Sequence, residues 1–475
     1  MKHYDPIAEF LLERLKTVSM TEQEALAIAL GFEPNIKKKI RFRYLENAIK
    51  SQNLSIRRSG IIGLAFSSIL EKGKKPKRQQ KVLKKHFKDP LSSIRITSAL
   101  GQGINAYFTQ NTKIKRKVNK EIKKKFKNQP EQVKQGLAVS MGLLGEASKS
   151  SSKDFKFLLD SYLNFKLENP TLYFIGFALS AINSGNTENA TDFILESIIP
   201  HLTNKESRRI TIICFAFLLP LISDPIIRME KLNKLIHGEF EFQSKFGTDL
   251  AIIFTFFSLY NNKPMKKKFL QSLEQIKELD PDYDQIYQIL STNQQIMKIL
   301  LGLIRSNTMD IKASGINVSF FLETTKESID LEPFIKEGIA QRDSGYFGRF
   351  LILLRSFSFC LLEDKYSYAS YFEPFIYSSD QQVKRIASLA YSCLHQMNPE
   401  NKENLEIIDR LQKEQDENVR WGLIIGSSLP QIIGKSAIDD ELVLGLLLLC
   451  LGFTEAGMSL ILSQAMVPTF YQEKE

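Results

Sequence analysis

Cysteine is scarce in this chain of 475 residues: there are four, Cys214, Cys360, Cys393 and Cys450. None belongs to a CxxC pair, which excludes zinc ribbons and thioredoxin-like redox chemistry. Each sits alone in an apolar stretch, as in Ile213-Cys214-Phe215, the setting of a buried free thiol in a reducing cytoplasm. Histidine is equally sparse. His3, His86, His201, His237 and His395 form no HExxH, and none is followed by Glu, so no metal centre and no cofactor is expected. Asn-Gly and Asp-Gly turns are absent, which argues against β-hairpins. Long apolar runs are absent too. The longest, Leu442–Phe453, has 12 residues, whereas a membrane span takes about 18 or more. The opening MKHYDPIAEFLLERL carries acidic residues where a secretion signal needs an apolar core, so a cytoplasmic protein is expected.

What is present describes a folded chain. Hydrophobic residues make up 43% and charged residues 25%, which excludes a disordered or collagen-like polymer. The formal net charge of +11 is unevenly spread. Residues 1–150 hold 32 basic and 12 acidic side chains, and the remainder 32 basic and 41 acidic. This asymmetry points to an anionic partner for the N-terminal third, with a solvated basic face as the plain alternative.

The chain repeats itself. An aliphatic–basic pair recurs as Ile56-Arg57, Ile94-Arg95, Val133-Lys134, Val383-Lys384 and Val419-Arg420. Seven residues after each aliphatic member stands a small residue: Gly63, Gly101, Ser140, Ala390 and Gly426. The first three starts are 38 and 39 residues apart and the last two 36 apart. Ser180 and Ala216 extend the series, and counting back from Val383 reaches Phe347, where Gly348 breaks the basic column, and then Ile311-Lys312. Residues 251–310 lose the register. Each unit reads as a charged amphipathic helix, a polar break such as Asp89-Pro90, Asn128-Gln129-Pro130 or Asn169-Pro170, and a more apolar second helix. Thr21-Glu22-Gln23-Glu24 reads as a capping box opening a helix over 21–30. Residues 439–451 and 455–464 read as a very apolar final pair whose outer side needs a cover or a partner.

Helix pairs at this period fit an all-α α-solenoid, a curved rod of stacked antiparallel helix pairs. The boundary motifs Ser55-Ile56-Arg57, Ser93-Ile94-Arg95 and Asn418-Val419-Arg420, each followed by a second helix rich in small residues, resemble HEAT and HEAT-like repeats, armadillo-like solenoids. The resemblance covers most of 36–466. It implies capping helices at 1–35, basic repeats at 36–250, an irregular segment at 251–310 and further repeats at 311–475. It also implies a concave groove of second helices and an outer face of first helices. Arg58–Ser67 and Trp421–Ser428 further resemble the Gly-rich repeats of large non-ATPase proteasome subunits.

No catalytic motif emerges. Gly434-Lys435-Ser436 has Leu429 where a phosphate-binding loop needs Gly, and GxSxG is missing. His-Glu pairs, which carry the di-iron centre of some HEAT-repeat enzymes, are missing as well. The lone Trp421 is expected to pack rather than to serve as the exposed aromatic of a HEAT-like DNA glycosylase. The protein therefore reads as a non-enzyme, with no small-molecule substrate evident.

One feature exceeds background: residues 72–127 hold 19 basic and two acidic side chains. Lys77, Arg78, Lys81, Lys84, Lys85 and Lys88 recur 39 residues later as Arg116, Lys117, Lys120, Lys123, Lys124 and Lys127. Leu83 and Phe87 recur as Ile122 and Phe126. Stacked helices would align these charges into rows facing an anionic partner: nucleic acid, an anionic membrane surface or an acidic protein. Scarce aromatics argue against single-strand stacking, and the excess of Lys over Arg argues against base readout. The leading expectation is a scaffold for protein–protein interaction that binds proteins along the concave groove of second helices, with this anion-binding face near the N-terminus. A nucleic-acid-binding solenoid stands second, and a coat or proteasome-like subunit third.

Overall fold

A computed structural model of the chain describes residues 6–15, 19–70, 76–109, 111–145, 151–164, 170–202, 205–237, 263–277, 281–293, 295–322, 330–340, 346–398, 405–433 and 440–472. Within them are twenty-five α-helices, short 3-10 and π turns, and no strand. The all-α class expected from the repeat is what these residues form. The candidate loop at Gly434-Lys435-Ser436 and the first part of the unphased stretch, 251–262, lie outside the described residues.

The chain gathers into two compact units, neither of them a consecutive stretch. One comprises residues 1–149 and 356–453, the other 150–355 and 454–475.

In the first unit, the N-terminal segment contributes α1 (Pro6–Arg14), α2 (Met20–Phe32), α3 (Lys38–Ile49), α4 (Leu54–Phe66), α5 (Lys77–Lys85), α6 (Ser92–Tyr107), α7 (Thr112–Phe126) and α8 (Glu131–Gly145). The register of the sequence explains their packing. The aliphatic member of each boundary pair is buried, from Ile56 and Ile94 to Val133. Of the register's small residues, Gly63 lies at a backbone approach: a Cβ there would stand 2.0 Å from the Ala27 carbonyl oxygen of α2. Gly103, two residues past the register position Gly101, lies at another close approach, where a Cβ would stand 2.3 Å from Ser140 Oγ of α8. Without side chains there, α2 packs on α4, α4 on α6 and α6 on α8. The charged first helices α3, α5 and α7 pack beside α4, α6 and α8.

α2 begins one residue earlier than its expected start. Ser19, not Thr21, is the cap: its hydroxyl accepts from the Glu22 amide at 3.4 Å, and its own amide donates to Glu22 Oε2 at 3.2 Å. Thr21 is used elsewhere, donating to Glu417 Oε2 at 2.8 Å.

The C-terminal part of the same unit comprises α20 (Glu373–Ile376), α21 (Gln381–Met397), α22 (Leu405–Lys413), α23 (Glu417–Ser428) and α24 (Asp440–Leu451). α21 packs on α23, and α23 packs on α2. The second helices therefore form one continuous row, α21–α23–α2–α4–α6–α8, in which the first repeats of the chain follow the last. α1 meets α22 in the same way. α24 is apolar all round, with Leu442 to Cys450 buried. It packs on α6, and its Cys450 carbonyl accepts from Arg58 Nη2 of α4 at 2.5 Å. Arg58 lies about 160° round α4 from Gly60, which faces α3. α24 thus covers the side of the row turned away from the first helices. Part of the cover of this apolar helix is the chain's own α4 and α6.

The second unit contains α9 (Ser151–Asn164), α10 (Thr171–Ser184), α11 (Thr187–Phe193), α12 (Lys205–Leu218), α13 (Pro225–His237), α14 (Lys263–Ile276), α15 (Pro281–Thr292), α16 (Ile296–Ile304), α17 (Met309–Leu322), α18 (Glu332–Ala340), most of α19 (Tyr346–Leu362) and α25 (Thr454–Gln472). α10 packs on α12 and α16 on α17. α25 lies against α10, α12 and α17. A polar network fixes its register: Glu455 Oε1 accepts from Arg209 Nη2 at 3.2 Å and from Asn317 Nδ2 at 2.6 Å, and Ser459 Oγ donates to Asn317 Oδ1 at 2.9 Å. The expected final helix pair is thus divided, α24 in one unit and α25 in the other.

Candidate functional site

The basic ladder sits on α5, the 3-10 turn His86–Lys88 and α7. Its two apolar pairs are anchors: Leu83, Phe87, Ile122 and Phe126 are all buried. They turn the opposite faces outward, so Lys77, Arg78, Lys81, Lys85, Lys88, Lys117, Lys120, Lys124 and Lys127 are exposed. Lys84, Arg116 and Lys123 are half-buried. Lys88 ends the 3-10 turn after α5, and Lys127 is the residue at which α7 stops.

The twelve ladder residues are not equivalent. Arg78 donates to Glu46 at 2.7 Å and lies over the Phe42 ring, so it serves α3 rather than a partner. Lys84 donates to Glu121 Oε2 at 2.5 Å, pinning α5 to α7. That hydrogen bond, helped by Lys117 and Lys125 and opposed by partial burial, holds the Glu121 carboxyl below its usual range. By contrast, Lys77, Lys81, Lys85, Lys117, Lys120 and Lys124 make no ion pair among the described residues.

Between α5 and α7 runs an open groove of about 730 Å³. Lys77, Lys81, Lys84 and Lys85 line it from α5, and Lys113 and Lys117 from α7. Pro76, Ile114 and Val118 give it apolar lining, the amides Gln80 and Asn111 lie beside them, and Glu121 is the one acid of the lining. Both helices begin at the same end of the groove, with no acid in either first turn to offset the partial positive charge of their free amides. A second depression of about 460 Å³ lies along α7, lined by Lys113, Arg116, Lys117, Lys120, Glu121 and Lys124. Lys113 follows the 39-residue recurrence, with Lys74 one repeat earlier, whereas Ile114 and Val118 escape it because Lys75 and Gln79 stand in their places. Their signal in the sequence is the i, i+4 spacing of Ile114 and Val118 inside a lysine run. Arg78, Lys88, Lys123 and Lys127 line neither hollow.

The other candidates fall into structural roles. Trp421 is buried under the Arg385 guanidinium, 5.0 Å from the ring centroid. All four cysteines are buried free thiols, and burial pushes Cys450 up to about 12. His395 stacks on Tyr391, and burial lowers its pKa. Among the described residues, no three His, Cys, Asp or Glu side chains gather as a metal site. No described helix is long and apolar enough to cross a membrane.

No protein-family model, no curated protein and no solved structure matches this chain.

Proposed function

We propose that the chain is a HEAT-like α-solenoid, a non-enzymatic scaffold of the cytoplasm, that holds an anionic macromolecular partner on the lysine face of α5 and α7. The observation that carries this reading is that Lys77, Lys81, Lys85, Lys117, Lys120 and Lys124 make no ion pair among the described residues, around hollows lined by one acid, itself bonded to Lys84. Like charges at i, i+4 destabilise a helix by roughly 0.2–0.5 kcal/mol per pair, so a polyanion relieves a cost the free protein bears. The apolar α24 already lies over the second helices α4 and α6, which favours the first-helix face for a partner over the groove side.

The test is a variant carrying Lys81→Glu, Lys85→Glu, Lys120→Glu and Lys124→Glu. All four positions are exposed, so the fold should survive, as judged by circular dichroism and thermal melting. Wild type should bind a polyanion, whether a duplex, an acidic vesicle or an acidic peptide, with an affinity that falls steeply with salt. The variant should not bind. For a duplex, each neutralised phosphate contributes a slope of about −0.9 in log–log form. A wild-type protein that binds none of the three near physiological ionic strength, where screening acts over roughly 8 Å, leaves only a solvated face.

A further inference from the structure

Resting on that reading, we infer that the groove between α5 and α7 is a docking site for an acidic amphipathic helix of a partner protein. The groove has two properties, and only one of them is charge. Its rims are lysines, but between them lies an apolar strip, half-buried Ile114 and Val118 at 6% exposure, with Gln80 and Asn111 beside it. A duplex or a lipid headgroup layer satisfies the rims and leaves the strip wet. At about 730 Å³ the groove takes the side chains of one helix face and is far too small for a duplex, which would rest on the lysine rims. A ligand that fills it brings apolar side chains down the middle and carboxylates along both edges.

Spacing points the same way. On α5 the rim lysines stand at 77, 81 and 85, and on α7 at 113 and 117, with Lys120 and Lys124 continuing along the α7 flank. Steps of three and four residues on a helix are the steps at which acids recur on one edge of an incoming helix. Lys113 to Lys124 spans eleven residues, about 17 Å at 1.5 Å per residue, so a partner helix of roughly three turns covers the site. Helix-in-groove recognition reads apolar anchors at i and i+3 or i+4, and the Ile114–Val118 strip, about 6 Å long, takes one such pair. Glu121 does not repel such a helix, because its carboxylate is held by Lys84.

The experiment uses the full chain and three fluorescent probes. The first is a synthetic three-turn helical peptide with a leucine stripe flanked by two rows of Glu. The second is a peptide of the same composition, scrambled to destroy the stripe. The third is a short DNA duplex. The ordered peptide should bind at least tenfold more tightly than the scrambled one, roughly the discrimination that one buried aliphatic side chain supplies. Replacing Ile114→Asn should weaken the ordered peptide by about tenfold and leave duplex binding unchanged, since a phosphate backbone has no use for the strip. Lys81→Glu with Lys117→Glu should abolish both. Equal binding of ordered and scrambled peptides overturns the inference and leaves the anion-binding function standing. That comparison needs no variant, so it decides even if Ile114→Asn does not fold. Duplex binding tighter than the ordered peptide also overturns it, in favour of nucleic acid. Binding of no probe, and of no acidic vesicle, brings down both readings.

Discussion

Gly63 and Gly101 occupy the same place in the repeat, yet the space around them differs. A Cβ on Gly63 would meet the backbone of Ala27 at 2.0 Å, an approach that only a shift of α2 or α4 could relieve. At Gly101 the nearest atoms are the side-chain carbons of Ala65 and Leu83, both at 3.2 Å, and Leu83 can give. Gly63→Ala should therefore cost about 1–3 kcal/mol through overpacking, while Gly101→Ala stays near neutral, partly offset by the higher helix propensity of alanine. Gly101→Leu has no such room and should be destabilising. Thermal melts of the three variants rank them; equal effects of the two alanine substitutions would mean that the small-residue column does not set helix spacing. The column itself is readable from sequence, because a fixed small residue in an apolar helix has few other causes. Which members touch backbone is not readable, since that depends on how far each neighbouring helix has rolled.

The connections between helices show what the basic residue after the aliphatic one does at four of the five boundaries. Arg57, Arg95 and Arg420 each donate to a carbonyl six residues earlier, at Ser51, Asp89 and Glu414. Arg57 then reaches Asp89 of the following unit at 3.1 Å, and Lys384 reaches Asp416 in the same way, 32 residues on. Burial alone would raise the Asp89 pKa. The Leu91 amide, His86 and Arg57 more than offset it, and the carboxyl ends below its ordinary value of 3.8. A depressed carboxylate contributes stability above its unfolded-state pKa and loses it as pH falls through the folded-state value. Asp89→Asn should thus destabilise the protein at pH 7 by about 1.5–3 kcal/mol, the worth of hydrogen bonds to a charged group. The gap between variant and wild type should close as pH is taken below 3.8. Denaturant titrations at several pH values measure it, and a gap that stays constant down to acid pH would remove Asp89 as the linchpin. The sequence displays Asp89-Pro90 as a helix stop and Ile56-Arg57 as a register mark. That one ties to the other is hidden, because a pairing 32 residues apart needs the helix directions before it can be drawn.

At the largest scale, the helix row of the first unit passes from the end of the chain to its beginning. A repeat counted along the sequence gives no hint of this: residues 1–35 read as capping helices and residues 439–451 and 455–464 as an apolar capping pair. The stack resolves both at once. α2 takes the place of a further repeat after α23, and the boundary residue Arg420 finds its next-unit acid in Glu22, with Nε 3.4 Å from Oε1. Glu22 is 4% exposed at its side chain and also closes the α2 capping box, so the N-terminal cap and the C-terminal repeats share one carboxylate. Thr21 to Glu417 is a second tie across the same seam. A double-mutant cycle with Glu22→Gln and Arg420→Gln tests the seam directly. Residues 398 positions apart in sequence should show a coupling energy of about 0.5–3 kcal/mol, as contacting members of one network do, whereas separate ends give additive effects within roughly 0.3–0.5 kcal/mol. Glu22→Gln alone should also loosen α2 through the capping box, so the single variant cannot separate the cap from the seam and the full cycle is needed. Additivity would mean that α2 caps an open end, and that the continuous row from α21 to α8 does not persist in solution.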